Sequence, residues 1–113
     1  MSIIKYTELS LRPYPGKILV FKDRKHLAKK YEEITKEKYT YEIEETGGRY
    51  HYMTFDGPLC DNLYLIYGKE PHVLAHEFSH AILHTFGLCG IDPIASSGEP
   101  FCYMLSQLML EIA

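Results

Sequence analysis

The spacing of the apolar residues in this chain changes at Pro71. From Pro71 to about Phe86, apolar side chains recur at intervals of three and four residues, which predicts an α-helix with one buried face. That face comprises Leu74, Phe78, Ala81, Ile82 and the methyl group of Thr85. Gly87 follows at a position where a C-terminal cap is common. A second run with the same rhythm, from Phe101 to Ile112, predicts another buried helix.

The first seventy residues have a different pattern, with short β-branched and aromatic runs that predict strands. These runs are KILVF (17–21), YTYEIEE (39–45), RYHYMTF (49–55) and NLYLIYG (62–68). Gly47 and Gly48 separate the second run from the third, which predicts a hairpin. Between the first two runs, residues 23–36 have one apolar stripe and many charges, as in an amphipathic helix with Asp23 as N-cap.

Length and composition indicate one soluble α+β domain that spans residues 1–113. Hydrophobic residues make up 46% of the chain and charged residues 24%, which is typical of globular proteins. No apolar run approaches the ~20 residues of a membrane span, and the first residues lack a signal-peptide pattern. We therefore expect a cytoplasmic protein that has no contact with a membrane.

Charge and cysteine usage exclude further classes of protein. The net charge is −3, and the basic residues of 23–38 alternate with acidic ones, which indicates a solvated helix rather than a nucleic-acid surface. Cys60, Cys89 and Cys102 are odd in number and show no CxxC spacing. We expect reduced core thiols rather than disulfides or a zinc knuckle.

The sequence HEFSH, residues 76–80, lies in the middle of the first C-terminal helix. Residues four apart on a helix differ by about 40° in direction and ~6 Å in height, so His76 and His80 can bind one metal ion. Glu77 lies about 100° further round, where a carboxylate can reach a water on the metal better than the metal itself. The pattern predicts one zinc ion, which lowers the pKa of a bound water to about 7, with Glu77 as general base.

A catalytic zinc site needs a third protein ligand, and the sequence offers several candidates. These are Glu99, Asp92, Cys89, Cys102 and His84. His84 is a further turn along the same helix, which is a poor position for closing a tetrahedron. Glu99 is favoured because it opens the following helix, which can fold back onto the first. The alternative is structural, with Ser96 as an N-cap and Glu99 completing a capping box.

Other residues near these positions have two interpretations each. Tyr103, one turn after Glu99, can orient that carboxylate or stabilise a transition-state oxyanion, or it can simply pack in the core. His84 and a strand tyrosine are further candidates for the oxyanion donor. His72 and His84 extend the ladder of histidines and are more often exposed or supporting groups than ligands.

HEFSH followed by EPFCYMLSQLM resembles the gluzincin arrangement, in which an HExxH helix is followed by a helix that carries a glutamate. The order of elements is similar to the minigluzincins, which are small single-domain zincins. The EPFCY segment is similar to small zincin-like proteins encoded by bacteriophages. The resemblance is specific over residues 71–112. It implies a minimal zincin fold in which His76, His80 and Glu99 bind zinc and Glu77 is the catalytic base, in the host cytoplasm if the chain is phage-encoded.

Two functions follow as hypotheses. The first is a zinc-dependent peptidase that acts on a peptide or protein bound at an edge strand, within 50–55 or 63–67. The second is a non-catalytic zincin-fold binding protein with structural or absent zinc and a protein partner, such as a phage accessory, assembly or anti-defence factor. Ten tyrosines, a residue type enriched at interfaces, favour the second. A third account treats the histidines as ordinary exposed or hydrogen-bonded residues of a core helix.

Overall fold

The computed structural model describes residues 3–42, 47–53 and 62–113, which form a four-stranded mixed sheet and three α-helices. The strands are β1 (Thr7–Ser10), β2 (Lys17–Phe21), β3 (Arg49–Met53) and β4 (Leu63–Tyr67). The helices are α1 (Arg24–Thr35), α2 (Pro71–Cys89) and α3 (Glu99–Ile112), and a 3₁₀ turn over Ala95–Gly98 precedes α3. The expected α+β class is confirmed. Within these described ranges, no helix is long and apolar enough to cross a bilayer.

The strands are arranged in the order β1-β2-β4-β3. The two central strands, β2 and β4, are parallel, and each pairs with an antiparallel strand at its outer side. All five residues of β4 are buried, as expected for a central strand with both faces covered. The interpretation of residues 63–67 as an edge strand is therefore wrong, whereas β3 forms one edge of the sheet as far as the described residues show.

Alternation along the strands distributes apolar side chains between two cores. On one face, Tyr64 and Ile66 of β4 pack in a cluster with side chains of α2 and α3. On the other face, Leu63, Leu65 and Tyr67 pack in a cluster with side chains of α1. The sheet is thus a middle layer, with α2 and α3 on one side and α1 on the other.

The helices agree with the sequence except at the end of α2. Asp23 is the N-cap of α1, and its carboxylate accepts a hydrogen bond from the amide of Lys25 at 2.8 Å, as predicted. Helix α2 continues through Gly87 to Cys89, and Gly90, whose φ is 71°, caps its C-terminus. The amide of Ile91 donates to the carbonyl of Phe86 at 2.9 Å, which is the Schellman pattern of a glycine-terminated helix. The assignment of the cap to Gly87 was wrong because a helix tolerates an interior glycine.

Two strand predictions differ from the structure. Strand β1 was not anticipated, because Thr7–Ser10 contains one buried residue, Leu9, and no apolar run. Residues 39–42 contain no strand, so the predicted hairpin is wrong there, while 43–46 lie outside the described residues. Strand β3 is confirmed over 49–53, and its partner in the described sheet is β4.

The cysteines also differ from expectation. Cys89 and Cys102 are free thiols, as predicted, but both are exposed rather than in the core. Cys89 is the last residue of α2, and Cys102 lies on the solvent-exposed side of α3. Other residues of these helices form the contacts with the sheet. Cys60 is outside the described residues.

Three tyrosine rings surround a buried histidine on the α1 side of the sheet. The ring of His51 on β3 is surrounded by Tyr31, Tyr39 and Tyr41, with ring centroids 4.8–5.4 Å away. The hydroxyl of Tyr39 is 2.8 Å from His51 Nε2. Burial, together with the nearby Arg49 guanidinium, lowers the pKa of His51 to about 4.

This depressed pKa makes a prediction about stability at low pH. In the unfolded chain His51 takes up its proton near pH 6.5, whereas in the folded chain it does so only near pH 4. The unfolded state therefore binds more protons between these values, and the stability contributed by neutral His51 is lost as the pH falls from about 6.5 to about 4. Urea unfolding should show that the difference in free energy of unfolding between the wild type and His51→Gln becomes smaller as the pH falls from about 6.5 to about 4. A difference that does not change with pH would contradict the lowered pKa of His51.

Candidate metal centre

Helix α2 presents two histidines outward and one carboxyl group inward. His76 and His80 are exposed, whereas Glu77 is completely buried between helix and sheet. The Nε2 atoms of His76 and His80 are 3.2 Å apart, and Glu77 Oε1 is 3.9 Å from His76 Nε2. One ligand atom from each of the three residues lies within 4.8 Å of the others. Helical spacing therefore brings His76, Glu77 and His80 together, as the sequence predicts.

The separation of the two nitrogens suits a zinc ion. Two nitrogens at the usual Zn–N distance of about 2.0–2.1 Å, at a tetrahedral angle, are roughly 3.3 Å apart. The observed 3.2 Å also allows one neutral imidazole to donate a hydrogen bond to the other. Imidazole nitrogens and carboxylate oxygens are ligands that zinc commonly takes. The residues present therefore fit a zinc ion, with Glu77 beside it.

Strand β3 runs along α2 and meets it at regular intervals. The ring of Tyr50 lies 5.5 Å from the ring of His80, and the ring of Tyr52 lies 4.0 Å from that of His84. Two strand residues span about 6.8 Å, which is close to the ~6 Å between helix positions four apart. Each alternate residue of β3 thus faces one successive histidine of α2, and the sheet edge lies directly beside the histidine pair.

The start of this register depends on Gly48, where the backbone of the chain approaches α2 closely. A Cβ atom at this position would lie 2.7 Å from Val73 Cγ1, 2.9 Å from the carbonyl oxygen of Tyr67 and 3.1 Å from Glu77 Cγ. Only glycine fits at this distance from backbone and side chains. The sequence predicted a turn at Gly48, but its closeness to Glu77 is a tertiary contact that sequence alone did not suggest.

Tyr50 is a site residue that the sequence did not single out by number. Its ring stacks on that of Tyr64 at 5.8 Å, and its hydroxyl is buried without a hydrogen bond in the described part of the chain. Burial raises the pKa of Tyr50 well above its ordinary value, and the neighbouring Tyr64, Tyr52 and Glu77 raise it further. Tyr50 therefore keeps its hydroxyl proton at neutral pH, and its ring lies beside that of His80.

His84 belongs to a separate hydrogen-bonded group one turn beyond the pair. The buried hydroxyl of Tyr64 lies 3.0 Å from His84 Nδ1 and 2.9 Å from Thr85 Oγ1. Burial lowers the pKa of His84, so its imidazole is neutral at neutral pH. His72, at the other end of the ladder, is exposed and lies 3.4 Å from the carboxylate of Glu70.

Glu99 is the first residue of α3 and is exposed, but it is not part of the group formed by His76, Glu77 and His80. Helix α2 extends nine residues beyond His80, or about 13 Å, before the chain turns toward α3. The first turn of α3 shares a surface pocket with Tyr14, and Tyr14 contacts Phe86 near the end of α2. The role of Glu99 as third ligand stays a prediction.

The capping-box alternative for Glu99 is wrong. The N-cap of α3 is Gly98, with a φ of 75°, and no side chain caps this helix. Ser96 and Ser97 instead adopt left-handed backbone angles, with φ of 55° and 58°, inside the 3₁₀ turn. A serine in that conformation cannot act as the β-region N-cap that the motif requires.

Tyr103 lies on the outer face of α3 with 72% of its surface exposed, so it is not the core residue that the alternative interpretation expected. It lines the same surface pocket as Arg12 and Gln107, and no histidine contributes to that pocket. Its proposed action on an oxyanion also stays a prediction.

No protein-family model, curated protein or solved structure matches this chain.

The contact at Gly48 predicts a large difference between two glycine substitutions. Gly48→Ala should lower the free energy of unfolding by about 1–3 kcal/mol, because the new methyl group overlaps the Tyr67 carbonyl and Val73. Gly87→Ala is the matched control, since a Cβ there meets nothing within 4 Å, and it should stabilise α2 by up to about 1 kcal/mol. Chemical denaturation measures both. Equal effects of the two substitutions would refute the close contact.

Proposed function

We propose that this chain is a zinc-dependent peptidase of gluzincin type, in which His76 and His80 bind one zinc ion and Glu77 is the general base. The observation that supports this proposal is the arrangement on α2: two exposed imidazole nitrogens 3.2 Å apart beside a completely buried carboxyl group. Zinc, when bound, acidifies water and polarises a peptide carbonyl.

Glu77 is the general base in this proposal, and its Oε1 lies 3.9 Å from His76 Nε2. In the proposed reaction its carboxylate accepts a proton from the attacking water as the new C–O bond forms. It then delivers this proton to the nitrogen of the leaving amine as the C–N bond breaks. Its side chain is completely buried and lies against the backbone at Gly48, which holds the carboxylate beside the histidine pair rather than in open solvent.

The substrate in this proposal is an extended peptide that pairs with β3. This strand forms an edge of the described sheet, and its Tyr50 lies beside His80. Added strands gain main-chain hydrogen bonds at such an edge, which fixes the peptide along α2. The peptide carbonyl that reacts would lie opposite the histidine pair.

Glu99 is proposed as the third ligand, and Tyr103 as a donor to the oxyanion of the transition state. The support for Glu99 is its place at the start of α3 after HEFSH, together with the resemblance to gluzincins. Tyr103 follows one turn later on the same helix, and its hydroxyl is accessible. Both assignments depend on α3 and are tested separately from Glu77.

The competing proposal is a non-catalytic binding protein that has the same helices. Two observations favour it: the ligand group in the described residues has two histidines and Glu77 without Glu99, and Tyr103 and Leu110 on α3 are each 72% exposed. An exposed tyrosine and an exposed leucine, seven positions apart on one helix, suit contact with a protein partner. Zinc content and hydrolysis together separate the two proposals.

The first test is Glu77→Gln. This change should reduce peptide hydrolysis by about 10²–10⁴-fold, because glutamine cannot accept the proton, while zinc bound per chain stays unchanged. Glu70→Gln is the control and should retain activity. Glu70 is exposed and is the residue immediately before α2. Loss of zinc from Glu77→Gln would make Glu77 a ligand instead of a base.

The second test concerns Glu99. If its carboxylate is the third ligand, Glu99→Gln should weaken zinc affinity by more than about 100-fold, because even partners outside the ligand shell contribute roughly 10–100-fold. Glu111→Gln is the matched control, since Glu111 is exposed on the same helix. Competition with a zinc-chelating dye measures both affinities. Unchanged affinity in Glu99→Gln would exclude this ligand and leave Glu77 unaffected.

A further inference from the structure

The hydroxyl of Tyr64 has one proton and two hydrogen-bond neighbours. It lies 2.9 Å from Thr85 Oγ1 and 3.0 Å from His84 Nδ1. Tyr64 is completely buried and Thr85 is 1% exposed, so neither hydroxyl can exchange its partner for water. The count of protons and acceptors in this group therefore determines which tautomer His84 adopts.

Two arrangements are possible for the group. In the first, Thr85 donates to Tyr64 and Tyr64 donates to His84 Nδ1, so both buried hydroxyl protons have an acceptor. In the second, His84 Nδ1–H donates to Tyr64 and Tyr64 donates to Thr85, which leaves the proton of Thr85 without an acceptor. An unsatisfied buried donor is unfavourable, so the first arrangement is preferred.

The first arrangement leaves His84 Nδ1 unprotonated and puts the imidazole proton on Nε2. His84 is partly exposed, and within the described residues its hydrogen bond is made by Nδ1, while Nε2 has no partner and is not buried. This N–H is consequently accessible from solvent. Burial lowers the pKa of His84, which keeps the imidazole in this neutral form at neutral pH.

We propose that His84 is a substrate-binding residue whose Nε2–H donates a hydrogen bond to a main-chain carbonyl of the bound peptide. This inference rests on the proposed peptidase function. His84 lies on the same face of α2 as His80, one turn away. The centroid of its ring is 4.0 Å from that of Tyr52 on β3. A neutral N–H beside β3, the edge strand of the described sheet, is suited to the carbonyl of a peptide backbone.

The register of β3 and α2 indicates which carbonyl is bound. Tyr50 lies beside His80 and Tyr52 lies beside His84, so two strand residues correspond to one helical turn. A peptide extended along β3 follows the same spacing. The carbonyl opposite His84 therefore belongs to a residue two positions from the one whose carbonyl reacts.

The tautomer can be measured without any activity. Long-range ¹H–¹⁵N correlation spectra of the ¹⁵N-labelled chain at pH 7.5 should show His84 protonated at Nε2 and unprotonated at Nδ1, with the signals assigned by their absence in His84→Gln. Thr85→Val removes the donor to Tyr64 and should populate both tautomers. A protonated Nδ1 in the wild type would overturn the proposal.

The binding role is tested with a fluorogenic decapeptide selected from a randomised library for cleavage by the zinc-loaded wild type. His84→Leu should raise KM about tenfold, the loss expected for one hydrogen bond, with little change in kcat and unchanged zinc content. His84→Gln, which keeps an N–H near the same position, should restore KM. His72→Leu is the control on the same helix and should leave KM unchanged.

Shortened peptides give a readout that a purely structural role for His84 would not affect. These peptides are shortened at the end that extends past His84, so that they lack the bound carbonyl. Wild type and His84→Leu should cleave them with equal KM. Equal KM values for wild type and His84→Leu on the full decapeptide would overturn the inference and leave the peptidase proposal intact. A wild type that cleaves no library member would instead refute the peptidase function on which the inference rests.

Discussion

The contact between helix α2 and strand β3 is the interaction on which the rest of the site depends. Gly48 lets the backbone approach Val73 and Glu77, and from there alternate residues of β3 follow the turns of α2. One strand edge and one helix face are thereby held parallel to each other. The histidine pair lies on the solvent side of this contact, the carboxyl group of Glu77 lies beneath it, and the edge of β3 runs alongside.

Glu77 is the residue in this contact that packing alone does not explain. A carboxyl group at 0% exposure costs folding free energy that a leucine at the same position would not. The neighbouring helix positions 74, 78, 81 and 82 are apolar and serve the core in the usual way. The cost at position 77 has a reason if the carboxylate handles a proton beside the exposed nitrogens of His76 and His80, as the peptidase proposal requires.

Much of this architecture follows from local sequence, and the rest depends on distant contacts. The period of three and four residues predicts α2 and α3, and Asp23 predicts the start of α1, because helices are specified by side chains that are close in sequence. The juxtaposition of His76, Glu77 and His80 follows in the same way. Strand β1 has little apolar signal, and its existence depends on pairing with β2, which sequence spacing does not reveal.

The same distinction applies to the predictions around the site. The sequence predicts the end of α2 at Gly87, yet the Schellman turn at Gly90 lengthens the helix. Glu99 is not part of the group that His76, Glu77 and His80 form in the described residues, and its role as third ligand stays a prediction. The partners of β3 on α2 are likewise tertiary contacts, so the positions of Gly48 and Tyr50 beside α2 could not be predicted from sequence spacing.

Zinc K-edge X-ray absorption of the reconstituted chain will show whether His76 and His80 bind zinc at an open site. We expect one zinc per chain with nitrogen and oxygen neighbours alone, including two imidazoles at about 2.0–2.1 Å, and loss of both imidazole signals in a His76→Ala, His80→Ala double variant. A chain that binds no zinc after reconstitution, or a sulfur neighbour at about 2.3 Å, would rule out this site.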